Sequence, residues 1–164
     1  MKRQTFVLVI ALVTAATAVG TAPARPAAAK CKTSDLVVWV DTTENAAAGS
    51  TYVTLEFTNQ SGHMCTLFGY PGVSGLDLRG HTLGSPAARD PSSTRVVRLA
   101  NGGAASAVLR IVEAGNFPAS TCRRRPAAGL RVYPPNQTVS KIVPIPFDAC
   151  SRPGPVYLRV KAVA

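Results

Sequence analysis

Four cysteines are the feature that most constrains the fold of this chain. An even number of cysteines implies disulfides if the chain is exported, and two bridges among four cysteines allow three connectivities. We favour the pairing of neighbours within each half of the chain, where each bridge would contribute roughly 3–4 kcal/mol on the chain-entropy model. A zinc site is the competing use, but its usual C-x-x-C spacing is absent from the sequence. The predicted disulfides are Cys31–Cys65 and Cys122–Cys150.

The start of the chain has the pattern of a secretory signal peptide. Lys2 and Arg3 are followed by an uncharged, mainly apolar run over residues 6–19. This run is shorter than the ~20 residues that a membrane-spanning helix needs. The sequence downstream has no second hydrophobic run of that length, so we predict no transmembrane segment in the mature chain.

The predicted cleavage site follows this apolar run. Small residues at 27–29 fit the Ala-x-Ala rule well, and rival sites lie at 16–18 and 22–24. Cleavage after Ala29 divides the chain into a signal peptide, 1–29, and one domain, 30–164.

The residue before Cys31 bears on how the protein is held outside the cell. A lipoprotein has a small residue before its lipid-bearing cysteine, whereas this chain has Lys30. We therefore predict a secreted protein, extracellular or associated with the cell wall, that is not a lipoprotein.

The charge of the chain is strongly basic. It has 18 lysines and arginines against 8 acidic residues, and signal cleavage removes three basic and no acidic residues, so the formal net charge falls from +10 to +7. Such a charge suits an anionic surface. We expect an anionic cell-envelope polymer or another secreted protein as partner, and no nucleic acid.

Short strands separated by turn residues account for most of the domain. The clearest is 50–59, where Val53, Leu55 and Phe57 alternate with polar residues, as in a half-buried strand. Pro144 and Pro146 assign their segment to an edge or bulged strand. The predicted strands are 35–40, 50–59, 64–70, 73–78, 94–100, 104–113, 129–135, 139–147 and 156–163.

Several local patterns give more specific expectations. The turn at 101–103, Asn-Gly-Gly, predicts a β-hairpin, because these residues tolerate positive φ. The strand 64–70 is expected to return alongside 50–59, and the polar segment 81–94 to form a loop. Trp39, the single tryptophan, is expected in the core beside a disulfide.

These elements together predict an all-β fold. The chain has 13 prolines and 13 glycines and lacks a convincing amphipathic helix. Seven to nine short strands with turns between them fit an immunoglobulin-like antiparallel β-sandwich with two disulfides.

Candidate chemistry is sparse in the sequence. Ser74, Asp77 and His81 lie close together, but Gly-Val-Ser-Gly-Leu departs from the G-x-S-x-G nucleophile elbow and no helix is predicted to follow it. The eight acidic residues are scattered and form no calcium loop. We therefore expect no enzyme activity, no catalytic or metal-binding residues and no cofactor.

A possible binding surface is set by charge and by exposed aromatic or amide groups. The run Arg123, Arg124 and Arg125 directly after Cys122 is the strongest local charge, although a three-residue run confers little specificity and the sequence alone favours a solvated loop. Each other candidate also has a packing or solvation role as its alternative. These candidates are Tyr70, Asn116, Phe117 and Tyr133.

A series of sequence blocks resembles a known family over residues 31–163. The blocks are "CKTSDLVV", "AGSTYVTLEFTNQSGHMCTLFGYPGVSGLDLRG", "AGNFPASTC", "GLRVYPPNQT" and "PFDAC". They are similar to an actinobacterial family of secreted domains catalogued only as a domain of unknown function. The resemblance implies an immunoglobulin-like sandwich with neighbouring cysteines paired, and it supplies no catalytic residues.

The sequence thus leads to two functional hypotheses of different classes. The first is a secreted, non-catalytic β-sandwich module that binds a partner, or has a structural role, at the cell envelope. The alternative is an extracellular protease inhibitor or small-ligand carrier, which would need either a protruding loop near a disulfide, such as 115–125, or an apolar cleft between sheets.

Overall fold

The domain consists of β-sheets packed as a sandwich, which confirms the predicted fold class. A computed structural model describes the backbone of residues 28–164 and the side chains of 28–43 and 47–164. The predicted signal sequence up to residue 27 lies outside the described residues. The strands are β1 (Ala29–Lys30), β2 (Leu36–Ala47), β3 (Ser50–Asn59), β4 (Cys65–Phe68), β5 (Gly72–Leu76), β6 (Thr82–Leu83), β7 (Ala88–Arg89), β8 (Val96–Leu99), β9 (Ala104–Val112), β10 (Arg124–Tyr133), β11 (Lys141–Cys150) and β12 (Leu158–Val160).

The strands form three sheets. A five-stranded sheet has the order β2-β3-β9-β12-β7, a four-stranded sheet the order β11-β10-β5-β6, and a three-stranded sheet the order β1-β4-β8. All pairings are antiparallel except the two-residue pairings β1–β4 and β7–β12. Within residues 28–164, helical structure is limited to 3₁₀ turns at Thr33–Asp35 and Ala114–Asn116 and to α1 (Ala119–Cys122).

The core follows the alternation read from the sequence. Val53, Leu55 and Phe57 of β3 are buried, while the polar residues between them are half-buried on the outer face. β9 pairs with β3 in regular register and buries Ala105, Ala107, Leu109 and Ile111 in the same way. The period of two places each apolar set on one face, and burial against the opposite sheet selects that face.

Both predicted disulfides are confirmed. Cys31–Cys65 joins the N-terminal segment to β4, and Cys122–Cys150 joins the end of α1 to the end of β11. All four cysteines are buried in the hydrophobic core. The disulfides therefore fix the start of the domain to β4 and the segment before β10 to β11.

The predicted hairpin at 101–103 is wrong, because β8 pairs with β4 and β9 pairs with β3. The buried side chain of Asn59 explains the crossing, since its Nδ2 donates to the carbonyls of Leu99 and Ala100 at 3.0 and 3.2 Å. The backbone of Asn59 also bonds Gly102 and Gly103. The turn is thus bonded to the end of β3. The predicted pairing of 64–70 with 50–59 is also wrong, because β4 lies between β1 and β8 in the three-stranded sheet.

Trp39 is not a core residue, contrary to expectation. Val38 and Val40 of β2 pack against the core, so the strand alternation turns Trp39 outward, where it is 46% exposed. β2 also continues well past the predicted end at residue 40.

Other element boundaries differ from the sequence-based expectations. The predicted loop 81–94 contains the short strands β6 and β7. β10 begins at Arg124, five residues before the predicted start at 129, so part of the arginine run lies in a strand. β11 lies at a sheet edge, as its two prolines predicted.

Tyr157 connects the two main sheets, the five-stranded and the four-stranded one. Its side chain is fully buried just before β12, and its hydroxyl donates to the carbonyl of Leu83 in β6 at 2.7 Å. Gly75 of β5 makes room for it, because a Cβ there would lie 2.7 Å from the tyrosine oxygen. Burial raises the pKa of Tyr157 to about 12.

Replacing Tyr157 tests this connection. Tyr157→Phe leaves the buried Leu83 carbonyl without its donor, so we expect a loss of about 1–3 kcal/mol in the free energy of unfolding, measured by urea titration. The pKa is raised in the folded state, so the wild-type contribution is present below pH 10 and is lost as the pH rises towards 12. The variant should lack this alkaline loss, whereas Tyr52→Phe, at a half-buried site, should retain it. Equal alkaline slopes for wild type and Tyr157→Phe would contradict the assignment.

Candidate functional site

The three consecutive arginines point to two different sites. α1 ends at Cys122, and Arg123 then takes a left-handed conformation, φ 50°, before β10 begins. The Arg124 guanidinium donates to the Asp148 carboxylate of β11. Arg123 and Arg125 instead line a groove on the other side. The run is therefore divided by its backbone, although the sequence presents it as one block.

The groove of Arg123 and Arg125 has a third arginine, Arg79. We call it the arginine groove; its cavity volume is about 690 Å³. Leu78, which is 93% exposed, contributes an apolar contact at its wall. Among the described residues, no carboxylate lies within salt-bridge distance of these three arginines. The remaining lining residues are Asp77, Leu83, Pro126, Ala127, Ala128, Pro146 and Ser151.

Sheet register brings Arg79 to the arginine run. Leu76, the last residue of β5, pairs with Gly129 of β10. The two strands are antiparallel, so the chain that leaves β5 runs beside the first residues of β10. The turn that carries Leu78 and Arg79 consequently lies alongside Arg125.

The Asp77 turn is held by its own hydrogen bonds. The Asp77 carboxylate accepts from the backbone amides of His81 and Arg79 at 2.8 and 2.9 Å. The His81 amide is the largest cause that lowers the pKa of Asp77 below its ordinary value. Arg131 donates to the Gly80 carbonyl at 3.0 Å. The Asp77 carboxylate thus serves the turn, and Arg79 extends from it without an acidic partner.

Hydrogen bonds also fix the other wall of the groove. The Arg123 carbonyl accepts from the Ser151 amide at 3.2 Å and from the Ser151 hydroxyl at 2.7 Å. The Arg152 amide donates to the Cys122 carbonyl next to them. The segment after Cys150 and the arginine turn are therefore joined by hydrogen bonds as well as by the disulfide.

Arg124 lies at the rim of a second cavity, of about 410 Å³, between the two main sheets. The hydrogen bond and charge of Asp148 raise the pKa of Arg124, and Glu113 adds to this effect. The floor of the cavity is apolar and consists of buried Val53, Ile111 and Ile145 together with half-buried Phe147. The cavity has the size of a small-ligand site, with the charged Glu113, Arg124 and Asp148 among its lining residues.

The aromatic candidates Tyr70 and Tyr133 do not line the arginine groove. The Tyr70 hydroxyl is hydrogen-bonded to Ser92, and the Arg89 guanidinium lies 5.4 Å from the ring centroid. Tyr133 ends β10, nine residues beyond Arg124, which corresponds to about 30 Å along a strand. The structure therefore does not bring these tyrosines into the arginine groove.

Asn116 and Phe117 have mainly structural contacts. Asn116 donates to the Gly49 carbonyl at 2.8 Å, and Phe117 packs against the hydrophobic core. The segment 115–125, proposed as a protruding loop, holds part of a 3₁₀ turn and the α-helix α1.

The Ser74–Asp77–His81 group has no triad hydrogen bonding. His81 Nδ1 lies 3.3 Å from the Asp77 carboxylate, while Ser74 lies on β5 opposite Arg131. The described side chains, those of residues 28–43 and 47–164, include no group of three or more His, Cys, Asp or Glu that could hold a metal ion. Nor does that part of the chain have a helix long and apolar enough to cross a membrane.

Leu78 and Arg79 are the site residues that sequence reasoning missed. Their local sequence, Leu-Asp-Leu-Arg-Gly, marks a turn and nothing more. An exposed leucine next to an arginine in a tight turn was the available signal, but only the β5–β10 register links it to Arg123 and Arg125.

Comparison with known proteins gives a family and no individual relative. Searches of the curated proteins and of the solved structures found no match. The family model described as "Domain of unknown function (DUF4232)" matches residues 31–164, which is the whole sandwich from its first cysteine onward. The chain therefore belongs to the DUF4232 family of domains of unknown function.

Proposed function

We propose that this protein is a secreted, non-catalytic binding module that holds a phosphate-bearing polymer of the cell envelope in the arginine groove. The observation that carries the proposal is the convergence of Arg79, Arg123 and Arg125 on one groove without an acidic partner among the described residues. Guanidinium groups suit phosphate because their planar donors bind two oxygens at once.

The shape of the groove favours a polymer over a single ion. Arg79 comes from the turn after β5, whereas Arg123 and Arg125 come from the start of β10. The exposed apolar residues Leu78, Pro126 and Pro146 also line the groove. A chain with repeated anionic groups could contact the arginines in succession and cover the apolar residues with its linkers. The net positive charge of the protein would accelerate the encounter.

Three further observations support the secreted and non-catalytic parts of the proposal. Both disulfides are typical of oxidising compartments outside the cytosol, and the first residues have signal-peptide character. Asp77, the one carboxylate in the groove, is already hydrogen-bonded within its turn.

Removal of the three groove arginines is the main test. Replacing Arg79, Arg123 and Arg125 with alanine should weaken binding to long-chain inorganic polyphosphate and to isolated cell walls. If each arginine contacts one phosphate of a flexible chain, the slope of log affinity against log salt should fall by about 2, by analogy with single-stranded nucleic acid. Affinity would be measured by fluorescence anisotropy over a series of salt concentrations.

A matched variant separates the groove from net charge. Alanine at Arg95, Arg98 and Lys161 removes the same charge from exposed positions elsewhere and should leave most of the affinity and the slope. Vesicles with phosphatidylglycerol and a polyglutamate chain distinguish lipid phosphate and carboxylate from polymer phosphate. Equal losses in both triple variants, or equal affinity for polyglutamate, would contradict the proposal.

The cavity between the sheets favours a second candidate function, that of a small-ligand carrier. Its size is that of a ligand site, and Glu113, Arg124 and Asp148 would give a ligand on its apolar floor charged partners. The protease-inhibitor form of this hypothesis has less support, because the segment proposed as its protruding loop is tied to the core by Phe117.

A bulky residue in the cavity tests the carrier function. Thr51 lines the cavity, so Thr51→Trp should fill it and abolish thermal stabilisation by octanol, octylamine or octanoate. Thr54→Trp places the same side chain on the outer face of β3 and should leave stabilisation unchanged. If none of these compounds raises the melting temperature of the wild type, the carrier hypothesis fails.

A further inference from the structure

The edge of β2 differs from the other sheet edges of the described domain. β1, β6 and β7 have only two residues, β8 has four, and β11 carries two prolines. Short strands and prolines are the usual protections against pairing with another chain. β2 is twelve residues long and contains no proline, lysine or arginine, and its stretch Leu36–Asp41 pairs regularly with β3 before a bulge.

The hydrogen-bond pattern shows which backbone groups face outward. The Gln60 amide donates to the Asp35 carbonyl at 2.8 Å. The odd-numbered residues at the start of β2 therefore direct their backbone amides and carbonyls to β3. The intervening residues direct theirs to the opposite edge. Leu36 agrees, because its amide bonds the Thr33 carbonyl instead of β3. Val38 and Val40 therefore direct backbone amides and carbonyls to an edge where no strand of residues 28–164 is hydrogen-bonded, although β11 of the four-stranded sheet passes close to β2.

Apolar and acidic side chains adjoin this edge. Val37 and Trp39 are about half exposed on the outer face of β2. Trp39 is opposite Glu56 of β3, and Asp41 follows on the same face. Burial and the Asp41 charge raise the pKa of Glu56, which is the effect expected when two carboxylates share a partly covered surface.

The local charge contrasts with that of the whole protein. Between Lys32 and Arg79 the sequence has no lysine or arginine, although five of its eight acidic residues lie there. This stretch includes β2 and β3 entirely. The β2 edge would therefore attract a basic segment, although the net positive charge of the whole protein repels cations.

From these observations we propose that the β2 edge binds an extended, basic segment of another polypeptide as an added antiparallel strand. The guest backbone would bond Val38 and Val40, and its outward side chains would cover Trp39 and face Asp41 and Glu56. Such strand addition takes its affinity from backbone hydrogen bonds and its specificity from alternate side chains. The edge belongs to the five-stranded sheet, so this inference is independent of the arginine groove.

Labelled peptides with alternating lysine and valine provide the probe. The basic peptide should bind at least about tenfold more tightly than the same peptide with glutamate for lysine. A version that is N-methylated at alternate residues keeps the charge and removes the strand donors, so it should lose binding. Trp39, the single tryptophan, should shift its fluorescence to shorter wavelength as the basic peptide covers it.

Amide hydrogen exchange locates the bound strand. Exchange of the Val38 and Val40 amides should be slowed by the basic peptide, while the Trp39 amide, already bonded to β3, should change little. Val38→Pro removes one edge donor without touching the β3 pairing and should weaken binding about fivefold. Trp39→Ser provides a side-chain variant should Val38→Pro fold poorly, and it should also weaken binding.

Several results would overturn the proposal. Equal binding of the N-methylated peptide would show attraction by charge alone, and unchanged exchange at Val38 and Val40 would exclude the edge. Concentration-dependent self-association through β2, seen by light scattering and lost in Val38→Pro, would make a second copy the occupant. A Trp39 fluorescence shift with a linear oligosaccharide, and none with the basic peptide, would assign the face to sugar.

Discussion

The Cys122–Cys150 disulfide is the constraint on which the arrangement of charges depends. It joins the end of α1 to the end of β11. Arg124, only two residues after Cys122, already pairs with Cys150 in the sheet. Only Arg123 lies between these points, and it takes a left-handed conformation. From Arg124 onward the strand alternation sends neighbouring side chains to opposite sides, so that Arg124 neutralises Asp148 while Arg123 and Arg125 remain available to the groove.

The sandwich carries opposite charges in two separate regions. The arginine groove lies where β10 begins, beside the turn that follows β5 in the four-stranded sheet. The acidic edge lies on β2 and β3 of the five-stranded sheet. A domain with this division could contact an anionic polymer and a basic polypeptide at the same time. Tyr157 ties the two sheets together between these regions, through its bond to Leu83.

Local patterns predicted the strands well, while their partners depended on contacts that no local pattern contains. The alternation in 50–59 and the neighbouring cysteines gave the right core face and disulfides. The turn at 101–103 was misread because buried Asn59, forty residues earlier, bonds the chain there to the end of β3. Trp39 lies outside the core, although a tryptophan in a strand is usually buried, because β2 packs Val38 and Val40 inward. Arg79 joined the site only through the pairing of Leu76 with Gly129.

The central claim is that phosphate polymers bind one groove and not the basic surface in general. It is tested most directly by NMR, through the backbone chemical shifts of the oxidised domain, residues 30–164, during titration with inorganic polyphosphate. Shifts should concentrate at 77–81, 123–128 and 151–152, with little change in β2 or in the exposed Arg95 and Arg98, which lie just before β8 and within it. Shifts of similar size at Arg95, Arg98 and the groove would contradict it.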